Sequence, residues 1–339
     1  MKRSIFTLIL SWILFSCTTK ESRPEVNIYS HRHYEVDKQI YKDFENKYNI
    51  KVNILKADAE ELINKISIEG ENTFADILIT VDASRLNRAN KLGLLKPIKN
   101  DALFKNIASS FISEDSSWVG LTYRGRVIAY NPEKINDSLL STYQDLISEK
   151  WRNKILVRTS NNVYNQTLLS SIIYHQGKDS ALVWAKGIVA NMARNPKGND
   201  RDQIKAMIYG EGDLAIINTY YLGLLLNSKN VTEVSVGKKT ALFFPNQNTT
   251  GTHINISGAG LVKHSKHEKN AIKLLQYLTS KEVQEKYAAV NFEYPVNSTA
   301  EISPLLKSWG KFTIDTAAAD TISQYYKEAI NLMKEANWK

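Results

Sequence analysis

Two pairs of neighbouring side chains in this sequence could together bind a metal ion. Tyr220 and Tyr221 follow one apolar run, and His33 and Tyr34 follow another. A deprotonated phenol oxygen is a hard donor and an imidazole nitrogen is a borderline one. If the two pairs converge, they would suit a hard, highly charged cation, with ferric iron as the leading candidate. Zinc more often takes cysteine and histidine, and calcium takes carboxylates.

The chemistry of the phenol group limits which ion could bind to such a cluster. A free phenol has a pKa of about 10, so at neutral pH a strong Lewis acid has to displace its proton. Ferric iron does this, and several phenolates then offset its charge. A lone tyrosine in a loop is more commonly a packing residue, so the interpretation depends on whether the fold brings several tyrosines together.

The elements that would position these residues alternate between strands and helices. The first part of the chain predicts strands at 26–30, 51–55 and 75–80, each followed by a helix, at 37–48, 59–69 and 82–92. This order predicts a parallel sheet covered by helices on both faces.

A second α/β region follows two further strands, predicted at 118–121 and 126–130. Its predicted strands are 213–217, 242–245 and 254–262, and its predicted helices are 143–147, 167–175, 179–192, 200–209, 269–278, 281–288 and 322–336. Two α/β regions between which the chain passes more than once indicate two lobes with a cleft, which closes around a ligand by a hinge motion.

The position of the tyrosine pair relative to its strand decides whether both rings can reach one ion. Adjacent residues of a regular strand point to opposite faces of the sheet. Tyr220 and Tyr221 can share an ion only if the strand at 213–217 has ended, and Asn218 and Thr219 are the expected breakers. The same argument places His33 and Tyr34 in the loop after the first strand, where open α/β sheets present their ligands.

The beginning of the chain has the pattern of an export signal. Lys2 and Arg3 precede an apolar run at 5–15 that is too short for a stable membrane span. Ser16 then precedes Cys17, the only cysteine, in a context that resembles a lipoprotein box. We expect a signal peptide at 1–16, lipid attachment at Cys17 and a polar tether at 17–25. The alternative is a simple secretory signal with an incidental cysteine.

Composition excludes several classes of protein. The formal net charge is +9, but the basic residues are interleaved with Asp and Glu, which together with the export signal argues against a nucleic-acid partner. With one cysteine there is no disulfide framework, so stability must come from burial. The sequence has no dinucleotide or phosphate-loop glycine motif, no HExxH, no CxxC and no GxSxG, and it shows no nucleophile–base pair. We therefore predict a protein that is not an enzyme.

Six segments, in order along nearly the whole chain after the signal, resemble motifs of the ferric-iron-binding proteins of bacterial ABC transporters. They are 29–34, 75–83, 160–166, 198–223, 251–260 and 294–297. The resemblance implies a bilobal periplasmic-binding-protein fold of the class II type, with a hinge and an interlobe cleft. The expected first lobe comprises 26–122 and 250–310, and the second comprises 123–249 and 311–339.

The resemblance also implies a set of ligands. The metal ligands of the family correspond to Tyr34, Tyr164, Tyr220 and Tyr221 in this sequence. His33 corresponds to a histidine that is a ligand in some members and only a neighbour in others.

Some members hold carbonate beside the iron with the help of an arginine. Arg124, Arg126 and Arg32 are candidates for binding carbonate or another small anion, and ordinary surface ion pairs are the alternative. His31 and His253 are expected to form structural hydrogen bonds rather than to bind metal.

Taken together, these features predict an iron-binding lipoprotein of the periplasm or cell envelope, anchored to a membrane by its lipid. It would act as a monomer that captures Fe³⁺ and delivers it to an ABC permease with its ATPase. One alternative keeps the fold and changes the ligand to a polyamine, thiamine or a phosphonate. Two others are an enzyme that uses the same cleft and a structural surface lipoprotein in which the tyrosines only pack.

Overall fold

The computed structural model describes residues 23–339. The expected signal peptide and Cys17 lie outside this range, as does most of the expected tether. Between residues 23 and 339, no helix combines the length and apolar character needed to cross a membrane.

The strands of the described chain belong to one nine-stranded sheet. They are β1 Glu25–Ser30, β2 Lys51–Lys56, β3 Ile77–Thr80, β4 Trp118–Tyr130, β5 Ile155–Leu156, β6 Leu214–Asn218, β7 Ala241–Phe243, β8 Ile254–Leu261 and β9 Tyr294–Pro295.

Helices cover the sheet. They are α1 Glu35–Tyr48, α2 Ala59–Glu69, α3 Ala83–Lys91, α4 Asp101–Phe104, α5 Val163–Gln176, α6 Lys178–Asn191, α7 Asp200–Ile208, α8 Tyr220–Leu226, α9 Val231–Lys238, α10 Glu268–Leu278, α11 Lys281–Val290, α12 Pro304–Ser308, α13 Ala319–Ser323 and α14 Tyr326–Glu335. Short 3₁₀ turns lie at Gly70–Asn72, Ser109–Phe111, Asp137–Leu139, Gln144–Ile147 and Glu149–Trp151.

Several helices begin where a short polar side chain caps the first turn. The carboxylate of Asp58 accepts a hydrogen bond from the Glu60 amide at the start of α2, and Asp82 accepts one from the Ser84 amide at the start of α3. Such caps satisfy amide groups that have no partner within the helix. They explain why the predicted starts of these two helices agree with the structure to within a residue.

The sheet has the strand order β2-β1-β3-β8-β4-β6-β5, with β7 and β9 paired to β4. The first three strands are parallel, as predicted, and β5 is parallel to β6. Strand β8, however, runs antiparallel to both β3 and β4. Strand β4 is also antiparallel to β6 and β7, so the sheet is mixed rather than wholly parallel.

Strand β4 is one continuous element of 13 residues, which corrects the prediction of two strands at 118–121 and 126–130. Its first half pairs with β8, and its second half pairs with β6 and β7. The polar residues in its middle, Thr122 and Arg124, are fully buried, because the structure supplies them with polar partners. A prediction based on runs of apolar residues therefore divides this strand at its buried polar residues.

The apolar side chains form two main cores that β4 connects. The first core takes its residues from 26–121 and 254–296, and includes Phe44 and Trp118. The second takes its residues from 127–244 and 329–338, and includes Trp151 and Trp184. Two α/β lobes that share a crossing strand agree with the bilobal fold predicted from the sequence.

The C-terminal helix predicted at 322–336 is two helices. It is interrupted between α13 and α14, where Tyr325 has φ −89° and ψ 3°. Helix α13 packs against α3 and α5, and α14 packs against α5 and α6. The side-chain Nδ2 of Asn87 also donates to Ser323 Oγ. Since α3 contributes Leu86 to the first core and α5 contributes Leu168 to the second, the last part of the chain contacts elements of both cores.

Candidate metal centre

The four predicted tyrosine ligands all lie where a helix begins. Tyr34 is the N-cap residue of α1, Tyr164 is the second residue of α5, and Tyr220 and Tyr221 are the first two residues of α8. The expectation that β6 ends before the tyrosine pair is confirmed, since the strand stops at Asn218. His33 and Tyr34 lie, as expected, in the loop between β1 and α1. Tyr220 and Tyr221 do not lie in a loop, because the chain enters α8 directly at Tyr220.

The turn from strand to helix allows Tyr220 and Tyr221 to face the same space. Successive residues of a helix are about 100° apart around its axis, rather than on opposite faces as in a strand. The two ring centroids lie 4.1 Å apart. Similarly, α5 begins at Val163 rather than at the predicted residue 167, so Tyr164 is held by a helix as well.

The tyrosines converge on one cavity of about 440 Å³. All four line it, together with His33. The Tyr34 hydroxyl donates a hydrogen bond of 3.3 Å to the Tyr220 hydroxyl, and the two rings meet edge to face. The other residues of the lining are His31, Val81, Arg158, Asn162, Val163, Asn199, Arg201 and Leu224.

Burial keeps three of these phenols, those of Tyr34, Tyr220 and Tyr221, protonated in the absence of a cation. Burial raises the pKa of Tyr34 and of Tyr220 well above the ordinary phenol value, and negative charge on neighbouring tyrosines raises each further. Burial raises the pKa of Tyr221 in the same direction. Only a cation that stabilises phenolate strongly can therefore occupy the cluster at neutral pH.

His33 is presented to the cavity by the backbone before α1. Its Nδ1 lies 3.1 Å from the His31 carbonyl oxygen, and donation there leaves the lone pair on Nε2. This orientation is compatible with a fifth, nitrogen ligand. The neighbouring His31 also lines the cavity, and its buried Nδ1 has no hydrogen-bond partner in residues 23–339.

The expectation that His253 forms structural hydrogen bonds through its side chain is wrong. His253 is buried, and neither ring nitrogen has a partner within the described part of the chain. Burial lowers the pKa of His253 to about 4, so the ring is neutral at physiological pH. It does not line the cavity of the four tyrosines.

Arg32, a candidate anion ligand, is buried behind Tyr34. Its Nε donates to Asp37 at 3.0 Å, and its Nη2 donates to Glu293 at 2.6 Å. The guanidinium carbon lies 4.5 Å from the centroid of the Tyr34 ring. Asp37 also accepts a hydrogen bond from the Tyr34 amide. Arg32 thus fixes the segment that carries Tyr34, and its side chain does not line the cavity.

Arg124 is also buried, at the point where β4 passes between the lobes. Its Nη1 donates to Ser257 Oγ at 2.6 Å, and its Nη2 donates to the Val81 carbonyl at 2.7 Å. The guanidinium carbon is 5.4 Å from the Tyr164 ring and 5.7 Å from the Tyr220 ring. Arg124 therefore places positive charge directly behind two of the phenols.

Two other arginines, which the sequence analysis missed, line the cavity itself. Arg158 follows β5 and the buried Val157, and Arg201 lies in the first turn of α7. The rule that ligands gather after buried strands could have indicated Arg158. Arg126, the remaining sequence candidate, is buried against Asp200 and lies outside the lining.

The donor set of the cavity favours a hard cation with phenolate ligands. None of its lining residues is Asp, Glu or Cys. Residues 23–339 also contain no group of three or more His, Cys, Asp or Glu side chains placed to hold a metal ion. Carboxylate-rich or thiolate sites for calcium or zinc are therefore not available here.

Comparison with known proteins identifies the family. The model of the family described as bacterial extracellular solute-binding proteins matches residues 72–317. This chain is a bacterial extracellular solute-binding protein. It is 40% identical to "Iron uptake protein A1" of Synechocystis sp. over 98% of this chain and 96% of that relative.

Solved structures show the same similarity. The Trichodesmium protein IdiA (FutA), in complex with iron and citrate, is 43% identical with a TM-score of 0.89, covering 93% of this chain and all of that one. The ferric binding protein from Campylobacter jejuni is 42% identical, with the same TM-score and coverage. The bilobal fold and the resemblance to ferric-binding proteins are thereby confirmed, and so is the prediction of a solute-binding protein rather than an enzyme.

Proposed function

We propose that this solute-binding protein captures ferric iron between its lobes. The phenolates of Tyr34, Tyr164, Tyr220 and Tyr221 bind the ion, and His33 is the candidate for a fifth ligand. The observation that carries the proposal is the convergence of four tyrosines from both lobes on one cavity that lacks carboxylates. The iron named for the similar proteins of Synechocystis and Trichodesmium supports the choice of cation.

The charges of the site are compatible with a trivalent ion. Four phenolates and one Fe³⁺ leave a single net negative charge, and the buried guanidinium of Arg124 lies behind Tyr164 and Tyr220 to offset it. A hard trivalent ion also displaces phenol protons more readily than a divalent ion does, so the site favours the ferric state over the ferrous state.

We propose that carbonate or another small anion completes the site. Arg158 and Arg201 are better placed for it than the three candidates from the sequence, because their side chains line the cavity. Arg32, Arg124 and Arg126 are buried and already donate to protein acceptors. A guanidinium can hold a planar oxyanion through two parallel hydrogen bonds.

The biological setting of the proposal follows from the family and the beginning of the chain. Solute-binding proteins pass their cargo to a membrane permease, so we propose an ABC permease with its ATPase as the partner. The lipoprotein-like segment before Cys17 supports a lipid-anchored monomer in the periplasm or cell envelope. The lobes would move as 26–122 with 250–310 against 123–249 with 311–339.

Visible spectroscopy tests the iron site directly. Metal-free protein mixed with chelated ferric iron should develop a phenolate-to-iron charge-transfer band, and a colourless protein without bound iron would overturn the proposal. The double variant Tyr220→Phe/Tyr221→Phe should lose the band, whereas an unchanged band would overturn the ligand assignment. Tyr209→Phe is the matched control, since Tyr209 is exposed and does not line the cavity.

A phosphonate is the alternative cargo that a specific observation favours, because Arg158 and Arg201 would suit an anion. Polyamines and thiamine are cations and would require carboxylates in the lining. Calorimetry of the metal-free protein with methylphosphonate separates the two cases. We expect no saturable heat with methylphosphonate and strong binding with chelated ferric iron, whereas the reverse result would establish the alternative.

A further inference from the structure

We propose that Arg126 is a positioning residue that aligns the three tyrosines of the second lobe on a single cation. This inference rests on the proposed ferric site and adds a role to a residue that does not line the cavity. Arg126 lies in the second half of β4, paired in register with Asn218 of β6. Its side chain is fully buried.

The guanidinium of Arg126 joins three separate segments. Its Nη1 donates to Asp200 Oδ2 at 2.8 Å and to Asn218 Oδ1 at 3.4 Å, and its Nη2 donates to Asn165 Oδ1 at 2.6 Å. Asn165 follows Tyr164 in α5, and Asn218 ends the strand just before Tyr220. One planar group therefore spans the starts of α5 and α7 and the junction between β6 and α8.

The partners of Arg126 extend the network to the cavity wall. Asp200 Oδ2 also accepts a hydrogen bond of 2.8 Å from the Asn218 amide, which holds the end of β6. Asn165 donates to the carbonyl oxygen of Arg158 at 2.9 Å, so the backbone of a cavity-lining residue is fixed by the same group. A shift of Arg126 would move all of these segments relative to one another.

The backbone of Arg126 is itself firmly held. Its amide donates to the His253 carbonyl at 2.8 Å, and its carbonyl accepts a hydrogen bond from the Tyr143 hydroxyl. On the other side, the Thr219 amide donates to the Gly125 carbonyl at 3.0 Å, directly before the tyrosine pair. The guanidinium therefore extends from a strand whose backbone is held in place. It can fix the positions of the first residues of α5, α7 and α8 relative to that strand.

The ion pair between Arg126 and Asp200 is not explained by a contribution to stability alone. Arg126 and Asp200 are both fully buried, and desolvation of two charges offsets most of their attraction, so well-packed apolar residues often stabilise a protein as well or better. A planar guanidinium, in contrast, directs several donors at fixed angles, which neither lysine nor an apolar residue can do. The geometry therefore points to alignment of the tyrosine-bearing segments.

The test compares Arg126→Lys with Arg194→Lys in the full chain. Arg194 also forms an ion pair in the second lobe, with Glu211 at 2.7 Å, but does not line the cavity. For Arg126→Lys we expect ferric affinity, measured against competing citrate, to fall by about 10- to 100-fold, as for other groups that orient metal ligands. We also expect the charge-transfer band to shift. The control should retain both properties of the unsubstituted protein.

Two further measurements keep the inference falsifiable. Thermal unfolding of the metal-free variants separates alignment from stability, because a merely structural role would lower the unfolding temperature and leave the band position and the affinity of the folded protein unchanged. That outcome would overturn the inference. If Arg126→Lys does not fold, Asn165→Ala removes the hydrogen bond from Arg126 Nη2 and leaves Arg126 paired with Asp200. An unchanged band in that variant would also overturn the inference. Absence of a band in the unsubstituted protein would instead reject the iron site itself.

Discussion

The hydroxyl oxygens of Tyr34 and Tyr220 lie 3.3 Å apart, although 186 positions separate the two residues in the chain. By the proposed lobe boundaries Tyr34 belongs to the first lobe, where it packs on the first core. Tyr220 belongs to the second lobe and packs across the cleft against Phe292 and Tyr294 of the first. The proposed ligands therefore come from both lobes, and opening of the cleft would separate them. Binding and closure are then linked, because an ion that contacts both lobes favours the closed arrangement.

Gly223 allows helix α8 to approach the side chain of Phe292 closely, just after the tyrosine pair. A Cβ at this position would lie 2.4 Å from Phe292 Cγ. We expect Gly223→Ala to hold the lobes apart and to weaken ferric binding by about tenfold, the equivalent of a modest overpacking cost. Ferric affinity and the radius of gyration of the iron-loaded protein measure the effect. Combining Gly223→Ala with Phe292→Ala should restore binding, and failure of this rescue would contradict the steric explanation.

Iron uptake should release protons in proportion to the tyrosines that bind. Since burial raises the pKa of Tyr34, Tyr220 and Tyr221, these phenols are protonated in the metal-free protein throughout the neutral range. Each proton displaced makes ferric affinity rise by about tenfold per pH unit, so affinity should increase with pH and fall on acidification. Titration in weak buffer, corrected for the chelator, measures the release. Tyr34→Phe should release one proton fewer, and an unchanged number would argue against Tyr34 as a phenolate ligand.

The buried carboxylate of Glu293 should be essential for stability. Arg32 and Arg124 hold its pKa below the ordinary value, although burial acts in the opposite direction. Its stabilising contribution is therefore complete above the ordinary carboxyl pKa and is lost as pH falls through the lowered value. We expect Glu293→Gln to reduce the free energy of unfolding by about 3 kcal/mol at neutral pH, because Arg32 and Arg124 keep buried charge without this partner.

Urea unfolding of the metal-free protein measures this difference. Glu335→Gln is the control. Glu335 forms an ion pair with Lys186, and both side chains are about half exposed, so the pair should contribute less than about 1 kcal/mol to the free energy of unfolding. Equal effects of the two substitutions would show that burial does not set the energy of the Glu293 interactions.

The proposed lipid anchor can be tested in cells. Replacement Cys17→Ser removes the thiol that would carry the lipid, so the protein should move from the membrane fraction to the soluble envelope fraction. Iron binding should be unaffected, since Cys17 precedes all residues of the cavity. Membrane association that persists undiminished in this variant would count against lipid attachment at Cys17.

Much of the site was accessible from the sequence because its signals are local. The alternation of strand and helix patterns predicts the order of the elements, and the motifs around Tyr34, Tyr164 and the tyrosine pair at 220–221 identify the metal ligands that we propose. The end of β6 before the tyrosine pair was also predictable, since adjacent tyrosines in a strand could not face one ion; the strand extends one residue further than predicted, to Asn218. These inferences depend on residues that are neighbours in the chain.

Only the tertiary structure decided how polar side chains in the interior are used. The sequence candidates for binding an anion were Arg124, Arg126 and Arg32, yet the fold buries all three outside the cavity lining. Arg158 and Arg201 line the cavity instead. The continuity of β4 through Thr122 and Arg124 has the same cause. A charged side chain can be buried only where the fold brings hydrogen-bonding or oppositely charged partners to it. These partners come from distant parts of the chain, so the pairing leaves no periodic pattern in the sequence.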